Sequence, residues 1–197
     1  MAEALVVLGA YLLGSMPFGY WVVRLLKHVD IRTVGSGNIG ATNVWRTFGK
    51  RYGIPIVVLD LAKGFVPAFV GTLVANEVVG AVAGGAAMLG HWRPLFLRFQ
   101  KGGKTVATGG GTFLGLAPLL GVIGLAIWIT TFGATRYASV ASIVSALALP
   151  LVGLALDEPW PVIVFASAAG VGVLVLHKGN IARLRAGTES RFRLRRA

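Results

Sequence analysis

The sequence has no cysteine, three histidines and only seven acidic residues in 197 positions. The absence of cysteine excludes disulfides, thiolate nucleophiles and Cys-ligated metals. Scarce aspartate leaves no cluster of the kind that a metal-dependent alcohol phosphotransferase requires. Charge is also thin, at 13% of residues, where a soluble domain carries about a quarter. What replaces it is apolar: 55% hydrophobic residues, with glycine at 28 positions.

The apolar residues come in blocks without amphipathic spacing. Residues 4–26, 54–74, 78–89, 106–132, 138–156 and 162–176 are nearly free of charge. Several runs near 20 residues predict an all-α, polytopic integral membrane protein. The leader Met1-Ala2-Glu3 is acidic where a signal peptide is basic, so the first block is expected to be a permanent helix.

The net charge of +12 is unevenly placed. Lys27, Arg32, Arg46, Lys50 and Arg51 fall in one connection, and Arg93, Arg98, Lys101 and Lys104 in another. Lys178, Arg183, Arg185, Arg191, Arg193, Arg195 and Arg196 form a basic tail over 178–197. The other connections carry Glu3, Glu77, Asp157 and Glu158 and no base. Basic loops stay cytoplasmic. Six spans with the N-terminus outside would place the tail outside. Splitting 106–132 at Pro118 into two crossings restores the rule and leaves Arg136 inside. The expectation is seven spans, N-terminus outside and C-terminus cytoplasmic, the fourth about 12 residues or roughly 18 Å long. Basic residues flanking membrane segments point to lipid head groups rather than nucleic acid.

Polar residues inside the apolar blocks stand out, because a charge at mid-bilayer costs about 2.5–3.5 kcal/mol unless paired or in a cavity. Asp60 and Lys63 share a helix face, as an ion pair or a substrate contact. Ser139, Ser142 and Ser145 make a stripe that suits either helix–helix hydrogen bonding or a site wall. Gly80-x-x-x-Gly84 and Gly111-x-x-x-Gly115 read as close helix crossings. Tyr11, Trp92, Trp128 and Trp160 read as interfacial anchors or packing.

Three polar segments carry the chemistry. Gly35-Ser36-Gly37-Asn38-Ile39-Gly40 matches G-x-G-x-x-G, but a dinucleotide fold needs a preceding strand, and here a membrane helix precedes it. Its backbone N–H groups, Ser36, Asn38 and the guanidinium of Arg46 suit an anion. In Lys101-Gly102-Gly103-Lys104-Thr105 the upstream glycine of a nucleotide P-loop would be residue 98, which is arginine. Two glycines between lysines at a helix N-terminus still suit an anion, through free N–H groups and the dipole. The third segment runs His177-Lys178-Gly179-Asn180-Ile181-Ala182-Arg183, with a histidine that is structural or catalytic. All three fall on the expected cytoplasmic side, which suggests an enzyme acting on a phosphorylated solute and a lipid. A transporter is expected to hold its polar groups at mid-bilayer between repeats, and no internal repeat is evident.

Taken in order, Gly14-Ser15-Met16-Pro17-Phe18-Gly19-Tyr20, the stretch from Asp30 to Asn43, the Lys101–Thr108 segment and the stretch from His177 to Glu189 resemble the bacterial acyl-phosphate:glycerol-3-phosphate acyltransferases. The resemblance covers residues 13–189. It implies a seven-helix enzyme of the bacterial cytoplasmic (inner) membrane, one transmembrane domain over 1–197, with its active site facing the cytoplasm. It implies acyl phosphate and glycerol-3-phosphate as substrates, lysophosphatidic acid as product, membrane lipids as surroundings, and neither metal nor cofactor. Ser36, Gly37, Asn38 and Arg46 match the first site motif, and Gly102, Gly103 and Lys104 the glycine-rich phosphate loop flanked by Lys101. His177 and Asn180 match the third motif, and Glu189 a structural acidic position. Thr105 stands where the family usually has a further glycine, a change that a helix N-terminus accommodates. The His-x-x-x-x-Asp of other glycerol-3-phosphate acyltransferases is absent, because Thr33, Phe96 and Ala182 stand five residues after the three histidines.

The chemistry suits such a donor. Acyl phosphate is a mixed anhydride with a good leaving group, so catalysis needs orientation, neutralised phosphate charge and a proton sink. Lys104, Arg46 and loop N–H groups serve the first two; His177 is expected to orient or deprotonate the hydroxyl, the substrate's own phosphate being the alternative proton acceptor. Ser36 and Asn180 complete the catalytic set, and Ser142 is a candidate wall contact. No Ser-His-Asp constellation is visible, which favours direct transfer. The alternative is a transporter of small anions or phosphorylated solutes.

Overall fold

The computed structural model describes residues 1–192, and those residues form helices and no strand. The absence of strands disposes of a dinucleotide-type reading of the 35–40 loop. Arg193, Arg195 and Arg196 of the basic tail lie outside the described residues.

The first apolar block is two helices, α1 (Ala2–Gly14) and α2 (Phe18–Lys27). The chain breaks at Ser15-Met16-Pro17, where proline removes an amide donor. Asp30 caps the short 3₁₀ turn Ile31–Thr33 by accepting the Arg32 N–H at 3.0 Å. The amphipathic α3 (Ala41–Phe48) leads into α4 (Lys50–Val74). Asn76 then caps α5 (Glu77–Trp92), taking the Val79 N–H at 3.1 Å. After the 3₁₀ turn Leu95–Leu97 come α6 (Val106–Leu116) and α7 (Pro118–Thr135). The break expected within 106–132 therefore falls at Ala117, with Pro118 opening the next helix, where a missing N–H costs nothing. Then follow α8 (Ala138–Ala155), α9 (Trp160–Leu176) and the short α10 (Lys178–Arg185).

Among the described residues, four helical stretches are long and apolar enough to cross a bilayer: Ala2–Lys27, Lys50–Val74, Pro118–Thr135 and Ala138–Ala155. The pair α9 and α10, bent by 57°, makes a fifth if taken as one span. The 16-residue α5 and 11-residue α6 reach about 24 and 17 Å at helical rise, short of a hydrocarbon core of about 30 Å.

Small residues bring the helices together. A methyl at Gly64 would come 1.9 Å from the Thr108 carbonyl oxygen, and one at Gly111 the same distance from that of Leu61, so α4 and α6 meet backbone to backbone. A methyl at Gly84 would strike Thr112, and one at Gly80 would strike Thr72. Both glycine pairs of the sequence are thus packing elements. The core between these helices holds Ala68, Met88, Phe113, Leu116, Leu149 and Phe165. Leu5, Leu73, Leu151 and Val164 point outward, as apolar side chains facing lipid do.

The basic connections converge at one end of the bundle. Asn38 reaches Gly102, Lys104 reaches Asn180, and the Phe192 N–H donates to the Arg136 carbonyl at 2.8 Å. The turns at 75–76, 117 and 157–159 carry no base.

Candidate active site

The first loop is organised from behind by Asn43, buried on α3. Its Oδ1 accepts the Ser36 N–H at 2.9 Å, and its Nδ2 donates to the carbonyls of Val34 at 3.1 Å and Asn38 at 2.9 Å. Gly35 and Gly37 adopt φ of +61° and +67°, the left-handed region that glycine enters freely. Ser36 and Gly37 form the exposed tip of the loop, and Arg46 is exposed one turn along α3 from Asn43. Asn38 departs from its expected role as a substrate ligand. Its Oδ1 accepts the Gly40 N–H at 2.8 Å and its Nδ2 reaches the Gly102 carbonyl at 3.5 Å, so it is a strut between two loops. Asn43 went unassigned in the sequence, although a buried amide on the apolar side of an amphipathic helix is a recognisable sign of a loop organiser.

The glycine-rich loop corrects two expectations. Gly102 and Gly103 do not offer free N–H groups: they donate to the carbonyls of Trp92 and His91, each at 2.9 Å. Both glycines are buried, and a methyl at Gly103 would come 1.9 Å from His91 Nε2. They are glycine because the loop lies flat on the end of α5. The donors left for an anion are the Lys104 ammonium and the unpaired N–H groups in the first turn of α6. The second correction concerns Thr105. It is buried with φ of +63° and ψ of 3°, a left-handed conformation, and makes no side-chain cap. A helix N-cap normally has extended backbone, so a glycine here would be relaxed where threonine is strained.

Lys104 Nζ donates to Asn180 Oδ1 on α10. Asn180 Nδ2 donates to Glu189 Oε1 at 2.6 Å, Ser139 Oγ donates to the same oxygen at 2.8 Å, and Arg183 Nε to Oε2 at 2.7 Å. Burial alone would raise the Glu189 pKa, but these three hydrogen bonds and the Arg183 charge hold it below the usual range. Burial lowers Lys104 from its ordinary value to about 8, opposed by Glu189 and assisted by Arg183, Lys101 and Arg46. Four cationic side chains therefore share one electrostatic field with a single carboxylate, an arrangement that favours phosphate.

His177 is buried at the junction of α9 and α10, one turn before Asn180. Its Nδ1 lies 2.8 Å from the Val173 carbonyl oxygen. A carbonyl only accepts, so Nδ1 carries the proton and Nε2 presents a lone pair.

Ser142 is bonded to its helix neighbours and not to the Lys104–Asn180–Glu189 chain. It donates to the Ala138 carbonyl at 2.7 Å and accepts Trp128 Nε1–H at 3.1 Å, which commits it to helix contacts. Ser145 lies 3.4 Å from the Gly124 carbonyl oxygen. Of the serine stripe, only Ser139 touches the cluster. Trp128 serves packing.

The glycerol-3-phosphate acyltransferase family model matches residues 4–187. The chain belongs to that family. A glycerol-3-phosphate acyltransferase of Geotalea daltonii is 44% identical over 193 residues, covering 98% of each chain. One from Desulforudis audaxviator is 42% identical over 196 residues, covering all of this chain and 98% of the other. The fold matches crystal structures of PlsY (YgiH), an integral membrane glycerol 3-phosphate acyltransferase. Its glycerol 3-phosphate form superposes with a TM-score of 0.93 at 39% identity, covering 98% of this chain and 96% of that one. Its lysophosphatidic acid form gives 0.91 at 38% identity with the same coverage. Like that protein, this acyltransferase-family member is an all-helical integral membrane protein.

Proposed function

We propose that the protein transfers a fatty acyl group from acyl phosphate to the 1-hydroxyl of glycerol-3-phosphate, giving lysophosphatidic acid and inorganic phosphate. Such a reaction opens phosphatidic acid synthesis. The carrying observation is the Lys104–Asn180–Glu189 chain. It holds an ammonium with donors to spare in the electrostatic field of Arg46, Lys101 and Arg183, and its Asn180 lies one turn after His177. Membership of the family and the two liganded PlsY forms support glycerol-3-phosphate as acceptor.

Transfer is direct. The glycerol-3-phosphate hydroxyl oxygen bonds to the acyl carbon, the bond from that carbon to the phosphate oxygen breaks, and phosphate leaves with the electron pair. The hydroxyl proton passes to His177 Nε2, whose ring is held by the Val173 carbonyl. Lys104, Arg46 and the first-turn N–H groups of α6 neutralise the phosphates and orient them. Ser36 and Gly37, at the exposed loop tip, contact phosphate, with Lys101 at the rim and Gly102 and Gly103 as the floor. Ser36 has no histidine–carboxylate pair assigned to it, so an acyl-enzyme is not invoked.

The chain acts as one domain of a bacterial cytoplasmic membrane, with seven membrane helices, the N-terminus outside and the site and C-terminus cytoplasmic. Here α5 and α6 are short helices held inside the bundle. The sequence has no cysteine, so single cysteines at Glu3 and Thr188 allow topology to be read by side-selective labelling. The reaction is tested with purified protein in lipid, glycerol-3-phosphate and palmitoyl phosphate, following phosphate and lysophosphatidic acid, with palmitoyl-CoA as parallel donor. Product from acyl phosphate, formed about 10²–10³-fold less efficiently by Lys104→Ala, is expected. Folded protein that makes no product from either donor sinks the reading and directs attention to solute transport.

A further inference from the structure

Behind the glycine-rich loop lies a buried polar cluster that acyl transfer, as described, does not use. Asp60 and Lys63 on α4 and His91 near the end of α5 are 2%, 1% and 5% exposed. Lys63 Nζ lies 2.8 Å from Asp60 Oδ1, 2.7 Å from His91 Nδ1 and 3.0 Å from the Met16 carbonyl oxygen. The contacts with His91 and Met16 are hydrogen bonds, and that with Asp60 is an ion pair whose Oδ1 has no hydrogen-bond partner among the described residues. An ammonium only donates, and this one is enclosed on all sides, so it is closed to substrate. Since Lys63 can only donate, His91 Nδ1 accepts and the imidazole proton sits on Nε2. That edge abuts Gly103, where a methyl would come within 1.9 Å of Nε2. The His91 carbonyl takes the Gly103 N–H at 2.9 Å. One histidine thus grips the loop by ring and by backbone, and Lys63 fixes the ring.

The Met16 contact reaches the other loop. Met16 sits in the break that leads into α2, and a methyl at Gly19 of α2 would come 1.9 Å from the Ile39 carbonyl oxygen. A single ammonium therefore ties the support of the 35–40 loop to that of the 101–104 loop. At the surface, Asn38 and Gly102 close the same circuit. Stability is a weak reason to keep such a cluster, because well-packed apolar replacements of buried ion pairs are often neutral or stabilising.

We propose that Asp60, Lys63 and His91 are positioning residues that set the separation of the two phosphate-facing loops, and with it the placement of Lys104, without touching substrate. The inference rests on the acyl-transfer reading above.

The test compares wild type, Lys63→Met, Lys104→Ala and the combined variant in lipid, each checked for folding by thermal unfolding. Positioning predicts that Lys63→Met lowers kcat/KM for glycerol-3-phosphate by about 10²-fold, as a misplacement near 1 Å does. On the Lys104→Ala background it should cost less than about threefold, because the group it positions is gone. Effects that multiply, or a folded Lys63→Met enzyme with wild-type constants, overturn the inference while leaving acyl transfer intact. An inactive wild type instead sinks the underlying reading. If Lys63→Met does not fold, Asp60→Asn/Lys63→Met, which leaves no unpaired charge, carries the same comparison. If that also fails to fold, the cluster is structural and the inference is overturned.

Discussion

Lys63 and Lys104 both bear on the glycine-rich loop, one through His91 behind it and the other as a member of it, with different numbers of partners. Lys63 is enclosed: it donates to an imidazole and a carbonyl and pairs in charge with a carboxylate. Lys104 is half-exposed and donates to one neutral oxygen, that of Asn180, behind which stands Glu189. Both are lysines on a helical membrane scaffold, and enclosure separates their roles. An enclosed ammonium fixes geometry, and one open to the surface waits for an anion.

The largest effect should come from removing the open one. Lys104→Ala is expected to lower kcat/KM for glycerol-3-phosphate by about 10²–10³-fold, the scale of losing one donor to a developing or transferred anion. Steady-state rates from palmitoyl phosphate measure it. A loss below tenfold would place the phosphates elsewhere and erase the contrast with Lys63. Next in size is Glu189→Gln. A carboxylate here accepts from Asn180, Ser139 and Arg183, and an amide offers one acceptor oxygen and adds two donors. Losing a charged hydrogen bond of about 1.5–3 kcal/mol corresponds to roughly 10–100-fold in kcat/KM. The KM for glycerol-3-phosphate should carry most of it.

A pH profile sharpens the comparison further. Lys104 binds phosphate as an ammonium, and burial with its cationic neighbours lowers its pKa to about 8. A lowered lysine pKa means the useful form is full below that value and lost as pH rises through it. Thus kcat/KM should fall above about pH 8, approaching tenfold per pH unit. Bound phosphate favours the ammonium, so kcat at saturation should hold to higher pH. Lys104→Arg should move the limb out of range, since guanidinium stays charged. Glu189→Gln should move it down, because the carboxylate supports the Lys104 charge.

Much of this was legible in the residues. The blocks of apolar sequence marked the helices, Pro118 marked the break between α6 and α7, and the glycine pairs marked the crossings. His177, Asn180 and Lys104 were picked out as site candidates, and the fold gathers Lys104 and Asn180 into one hydrogen-bonded chain. What stayed hidden depends on where a hydrogen bond points. Gly102 and Gly103 look like open donors until the end of α5 is laid beside them, and Asn38 like a ligand until Gly102 comes within reach. Ser142 and Ser139 are equivalent in a helical stripe, and only the partners Trp128 and Glu189 tell them apart. The tie between Lys63 and His91 joins α4 to α5 across 28 positions, a separation that no local pattern encodes.

The smallest expected effect concerns the joint between Lys104 and α6. Thr105 holds φ of +63°, which costs a β-branched residue about 1–2 kcal/mol. Thr105→Gly removes that strain. Against it, the unfolded chain gains freedom that makes glycine less favourable by roughly 0.5–1 kcal/mol, and the buried side chain loses its contacts. The balance predicts a protein between equally stable and about 1 kcal/mol more stable, an upward shift of no more than a few degrees in Tm for about 200 residues. Thr105→Val keeps the strain and should not raise Tm. Thermal unfolding in one detergent compares the two. A Thr105→Gly protein that melts well below wild type would mean that the threonine side chain braces the loop more than its backbone strains it. The left-handed joint would then not set the balance of stability at this position.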